Sequence, residues 1–201
     1  MTIYDFPSGI RIKNSQFKLE SNVQTFTSPL SNSTQRIILP GKRWVATYEL
    51  TSHTRAEFAV MKAFLIQQEG GLHTFYGFDA DARQPLGVAT GTPLIKGAGQ
   101  TGLSILTDGW TPNTTGILKQ ADYIQVGNEM KMVMANVNSD GSGNATILIS
   151  HAFRSSPADN APIITNNPCC VMRLIDNQQD MWDSDANKNC TITFRAVETF
   201  V

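Results

Sequence analysis

Oxygen-bearing side chains at alternate positions are the first feature of this sequence that could do chemistry. Asn136, Asn138 and Asp140, with Ser139 between them and Gly141 after, mimic the opening of a calcium loop, which wants ligands at every second position and Gly at the sixth. The twelfth position, where a bidentate acid belongs, is Ile147. Asp-Gly preceded by Asn is also what a hairpin turn requires, and the turn is the reading adopted. Asp79 with Asp81, and Asp183 with Asp185, are carboxylates two apart that would point the same way on a strand. Such pairs suit acid–base or metal chemistry, yet neither has a His, Glu or further Asp at ligand spacing nearby.

The remaining reactive residues are scattered. His53, His73 and His151 form no His-Glu-x-x-His pattern, and no Gly-x-Ser-x-Gly elbow is present. Cys169 and Cys170 are adjacent, without the Cys-x-x-Cys spacing of redox or zinc sites. With Cys190 they leave an odd count. A Cys169–Cys190 or Cys170–Cys190 bond is geometrically open, but buried thiols are the better expectation for a cytosolic chain. Gly97, Gly99 and Gly102 fit Gly-x-Gly-x-x-Gly, but no helix follows, so a flexible linker is expected there. Met130, Met132 and Met134 alternate along a strand, either as core filling or as an adaptable contact stripe. No catalytic, cofactor-binding or metal-ligating residue is assigned, and no enzymatic activity is expected.

The elements that would position these residues are mostly short strands between turns. Arg36 to Leu39 is a short apolar run ended by Pro40-Gly41. From Arg43 to Leu50, Trp44, Ala46, Tyr48 and Leu50 share one face of a half-buried strand. Thr54 and Glu57 form a capping box that opens a helix over 55–69. Phe58, Met61 and Leu65 make its core face, widened by Ala59, Ala63 and Ile66, and Gly70-Gly71 ends it. A strand runs from Leu72 to Phe78. Residues 90–116 read as linker and loop, with a short strand allowed at Leu103–Thr107. Asp122–Val126, Met130–Val137 and Ala145–Ile149 then form a meander that suggests a small barrel. After a Pro- and Asn-rich loop over 155–168 and a strand from Cys170 to Ile175, the strand Cys190–Glu198 carries Ile192, Phe194 and Ala196 on one face. It is expected to rejoin the first sheet, which makes the middle of the chain an insertion.

The 201 residues are 41% hydrophobic and only 16% charged, with a formal net charge of −1. That charged fraction is well below the usual ~25%, as suits a protein packed against others. No basic block exists to attract nucleic acid, and no apolar run reaches the ~20 residues of a membrane span. The first residues show no basic region followed by an apolar run, so no secretory leader is expected.

Several of these stretches carry a resemblance. Leu39-Pro40-Gly41-Lys42-Arg43-Trp44, the strand to Leu50, the Thr54–Glu57 helix start and Gly71 to Asp79 resemble the opening half of tail-tip proteins of long-tailed, non-contractile phages. Gly109-Trp110, Thr114-Thr115-Gly116, Leu118, Asp122 to Gly127, Val137 to Ile147, Arg154 to Ala158 and Pro168-Cys169-Cys170 resemble a module of such tail proteins. Together these cover about two-thirds of the chain. The pattern is most similar to distal tail proteins.

The resemblance implies a mainly-β fold: a tail-tube-like β-sandwich or barrel with one flanking helix over 1–94 and 162–201, and a small inserted β-barrel over 95–161. It also implies a homohexameric ring in the virion tail tip, assembled in the host bacterial cytoplasm. The implied partners are copies of itself, the tail tube protein, and hub or tail fibre proteins, with no cofactor. Two other readings remain open. One is a carbohydrate-binding module stacking sugars on Trp110 and Trp182, and the other a cell-wall hydrolase.

Overall fold

A computed structural model of the chain describes residues 1–51, 55–175, 182–184 and 190–200. It is mainly β with one α-helix. In chain order the strands are β1 (Ile3–Tyr4), β2 (Ile12–Glu20), β3 (Val23–Thr27), β4 (Thr34–Ile38), β5 (Arg43–Thr51), β6 (Thr74–Gly77), β7 (Gly91–Ile95), β8 (Ser104–Trp110), β9 (Tyr123–Val126), β10 (Glu129–Met132), β11 (Ala145–Leu148), β12 (Ile163–Ile164), β13 (Cys170–Leu174), β14 (Trp182–Ser184) and β15 (Cys190–Glu198). The helix α1 spans Arg55–Gln67. Two compact units result: Met1–Phe75 with Met172–Val201, and Tyr76–Val171.

The first unit is built on one sheet of order β1-β6-β13-β15-β5-β2, with β14 also paired to β15. Ile192, Phe194 and Ala196 lie opposite Leu50, Tyr48 and Ala46, so the two apolar stripes meet on one face. Their burial is complete or nearly so. Phe58, Met61, Phe64 and Leu65 of α1 are buried. Phe64 stands edge-on to Phe75 of β6 at 5.4 Å between centroids. Phe6 joins the rings together, 5.7 Å from Phe64, 5.8 Å from Tyr48 and 6.3 Å from Phe194. Where the β5–β15 ladder ends, the buried carboxylate of Glu198 accepts the Trp44 N–H at 2.9 Å.

The helix differs from its expected form in two respects. It ends at Gln67, and a 3-10 turn, Glu69–Gly71, follows with Gly70 at φ +67°. Its core face is widened by Phe64, whereas Ala59, Ala63 and Ile66 face outward. Thr54 of the capping box lies outside the described residues.

The second unit places two three-stranded sheets around one core, β7-β8-β11 and β10-β9-β12. Ile95, Ile105 and Ile147 enter it from the first sheet, and Ile124, Val126 and Ile163 from the second, with Trp110 and Phe153 among the other members. The sheets touch at both edges through isolated bridges, Val133 with Ile149 and Leu94 with Pro162. The expected closed barrel is therefore not formed, because no continuous ladder joins the two sheets. Residues 90–116, expected as linker and loop with a short strand allowed at Leu103–Thr107, hold β8 where that strand was allowed and also β7, which was not expected. Pro93 and the register shift between Gly91 and Leu94 hide the strand pattern of β7.

The unit begins at Tyr76 rather than near 95 because residues 79–89 are fastened to it. Val88 and Ala89 donate to the carbonyls of Gly116 and Ile117. The buried carboxylate of Asp122 accepts the N–H groups of Leu86 (2.7 Å), Gly87 (3.0 Å) and Lys119 (2.7 Å). Its other end lies beyond 161 because Cys169 donates its N–H to Gln125 Oε1 at 2.9 Å and Val171 donates to the carbonyl of Asn128. Removing the Asp122 acceptor strands donors that water only partly reaches. Asp122→Ala is expected to cost about 3 kcal/mol in chemical denaturation, with faster amide exchange at Leu86 and Gly87. Asp122→Asn, which keeps one acceptor oxygen, should cost less.

Candidate functional site

The residues that most resembled a metal loop form a polar corner of the second unit, and each is already engaged. Asn136 Oδ1 accepts the Gln120 N–H at 2.9 Å, and Asn138 Oδ1 accepts the Gly116 N–H at 2.7 Å. The Ser139 hydroxyl donates to the Thr111 carbonyl at 2.6 Å and accepts from the Thr114 N–H at 2.9 Å. Asp140 Oδ1 accepts the N–H groups of Ser142 and Asn144, both at 2.8 Å, and Oδ2 accepts Asn144 Nδ2 at 2.9 Å. The Asn144 side chain, then the backbone donors, hold the Asp140 carboxyl below its ordinary 3.8. Gly143 completes the corner at φ +75°, with its Cα so near the Trp110 carbonyl that a Cβ would collide with it. This is a turn built from oxygen acceptors.

The other candidates are equally occupied. Asp79 accepts the Tyr123 hydroxyl at 3.1 Å and the Asp81 N–H at 3.3 Å, so its partner is a phenol and not a second carboxylate. Burial, then the Asp79 charge and hydrogen bond, push the Tyr123 phenol above its usual range. His73 accepts the Thr2 N–H on Nδ1 at 3.3 Å, tying β1 to β6. His151 is buried beside the Ser150 hydroxyl. His53 and Asp185, and the side chain of Asp183, lie outside the described residues. Among the described residues no three His, Cys, Asp or Glu side chains converge.

The glycine-rich stretch is an ordered β7–β8 connection. The Gln100 amide reaches the carbonyls of Lys96, Gly97 and Leu106 and accepts the Leu106 N–H at 2.6 Å. The methionine stripe divides, with Met130 buried, Met132 half-buried and Met134 exposed. Cys170 and Cys190 are buried, and the half-buried Cys169 points its thiol at Gln125 Oε1, 3.2 Å away. Trp110 is buried and donates its indole N–H to the Thr107 hydroxyl at 2.8 Å, so it offers no face to a sugar. The side chain of Trp182 lies outside the described residues. An open groove beside the corner, lined by Lys96, Leu106, Asp140, Asn144 and Thr146, contains no aromatic ring.

What stands out is a surface of which only the run from Arg36 to Leu39 was expected as a strand. Strands β3 and β4 form a two-stranded ribbon, separate from the main sheet, in which every residue is exposed. It continues the β2–β5 hairpin: Glu20 pairs Arg43, the Leu39 N–H then reaches the Asn22 carbonyl at 2.8 Å, and Val23 pairs Ile38. At ~3.4 Å per residue the ribbon strands reach about 17 Å. Phe26 is 67% exposed, Ile37 60%, Ile38 66%, and Leu30 at the tip 98%. An isolated two-stranded hairpin is marginal in water. One with apolar residues on both faces calls for a covering surface. The signal was present in Val23–Thr27 and Thr34–Ile38, two β-prone runs around a Ser- and Asn-rich turn.

Because the corner oxygens are engaged, the thermal midpoint is expected to be the same in EDTA and in millimolar calcium. A real site at a hundredfold excess of ion over Kd would add about 2.7 kcal/mol. In NMR the Asp140 carboxyl should titrate below 3.8. Since that group is depressed in the folded state, its stabilising contribution is present above the ordinary value and lost as pH falls through the depressed one.

No protein-family model matches this chain, and no curated protein matches it.

Proposed function

We propose that this chain is a non-catalytic structural subunit of a phage tail tip, assembling with copies of itself into a ring that joins the tail tube to the hub or receptor-binding apparatus. The observation that carries self-assembly is the β3–β4 ribbon, apolar on both faces and covered on neither. Next to it β2 is the terminal strand of the main sheet, with an edge on which a further strand can add. A ribbon that reaches out needs an unlike surface to receive it, so the contact is heterologous, and heterologous contacts whose rotation closes give rings. The low charge of the chain agrees with a surface that is largely covered in an assembly. The tail location and the tube, hub and fibre partners rest on the sequence resemblance.

Light scattering over a concentration series, with negative-stain imaging, tests the reading. The expected particle holds six copies of the 22.0 kDa chain, about 130 kDa, around a central hole. A particle that stays at 22.0 kDa at every concentration, alone and with purified tail tube protein, would count against it. Phe26→Ser with Ile37→Ser should reduce the assembly to monomers. The monomer's own stability should change by no more than about 0.5 kcal/mol per site, because both side chains are already exposed.

A further inference from the structure

We propose that the outward face of α1 receives the β3–β4 ribbon of a neighbouring copy; this rests on the self-assembly reading and names its receiving surface. A surface helix buries one apolar stripe and shows water a polar one. The helix α1 does not follow this pattern. Its inner face holds Phe58, Met61, Phe64 and Leu65. Its outer face, an arc of roughly 120° at 100° per residue, is formed mainly by Ala56, Ala59, Val60, Ala63 and Ile66, all exposed. Val60 and Ile66 are 55% and 56% exposed. Charges keep to the rims, with Arg55 and Lys62 on one side and Glu57 on the other.

The ribbon fits this face in charge, shape and length. Residues paired across the ribbon share a face, so Gln24, Phe26, Gln35 and Ile37 lie together, and this face is uncharged. Arg36, the ribbon's only charged residue, points to the opposite face with Thr25. An uncharged ribbon face and an uncharged helix face can be brought together without desolvating an ion. The three alanines carry only a methyl group each, so a large side chain can approach the helix backbone between Val60 and Ile66, and Phe26 and Ile37 are the large side chains of this ribbon face. The helix, 13 residues or about 20 Å, matches the ribbon's ~17 Å. Ribbon and helix are unlike surfaces, so each copy gives one and receives one, as ring closure requires.

The test uses two variants of the full chain. Phe26→Ser/Ile37→Ser removes the ribbon contact, and Ala59→Glu/Ala63→Glu blocks the helix face. Circular dichroism and the thermal midpoint confirm that each folds. Each variant alone is expected to be monomeric at concentrations where the unaltered chain assembles. Mixed, they retain one intact ribbon and one intact helix face between them, so the mass doubles and growth stops at the dimer. If the helix variant assembles as the unaltered chain does while the ribbon variant fails, the ribbon docks elsewhere: this inference falls and self-assembly stands. A mixture that stays monomeric also overturns it. If the unaltered chain never assembles, both readings fall together.

Discussion

The first unit depends on one adjacency: β6 and β13 lie side by side in the main sheet although the whole second unit separates them in sequence. Neighbouring strands are ~4.8 Å apart, so the chain leaves the main sheet and returns to it on adjacent strands. That adjacency sets β15 beside β13, and β15 in turn aligns Ile192, Phe194 and Ala196 with Leu50, Tyr48 and Ala46 of β5. The face so formed gives Phe6 its aromatic bed, and Phe64 of α1 packs on Phe6 and on Phe75 of β6. The core of the first unit thus joins strands from opposite ends of the chain.

Elements with a buried face were legible from sequence in proportion to how one-sided they are. β5 and β15 alternate cleanly, and both were read close to their bounds. β2 is a sheet edge whose residues are all exposed or only half-buried, so Ile12, Phe17 and Leu19 among Lys, Asn and Gln give a weak pattern, and it went unread. β7 was hidden by its bulge and Pro93. In α1 the period of 3.6 was plain, but both faces are apolar, so periodicity alone could not say which alanines and isoleucines look inward. Phe64, missing from the expected face, is the buried one.

The chemistry suggested by the sequence was legible only as residue type, because spacing does not say what an oxygen bonds to. Asn136, Asn138, Ser139 and Asp140 are spaced like ligands, yet their acceptors are taken up by Gln120, Gly116, Thr114, Ser142 and Asn144. Asp122 attracted no notice as a residue with a role, and it binds the backbone of residues 86 and 87. Gln100 does the same for the β7–β8 connection. In a unit of short strands and long connections, backbone donors outnumber ladder acceptors, and side-chain oxygens make up the difference. Turn chemistry and ligand chemistry use the same residues for that reason.

The same accounting explains why the exposed ribbon is the informative surface. In the corner of the second unit the side-chain oxygens of Asn136, Asn138, Ser139 and Asp140 are engaged by nearby backbone and side-chain donors. The ribbon reverses this: its backbone donors and acceptors are satisfied in its own ladder, and its apolar side chains are left over. With no core of its own, it draws only ladder hydrogen bonds and its junction with β2 and β5 for order, which places it at the low end of local stability. Covering it in an assembly of the proposed kind would stabilise the ribbon and the contact together, since the apolar side chains it now exposes would be buried. Under that proposal, folding of the ribbon and recognition by a neighbour would be one coupled equilibrium.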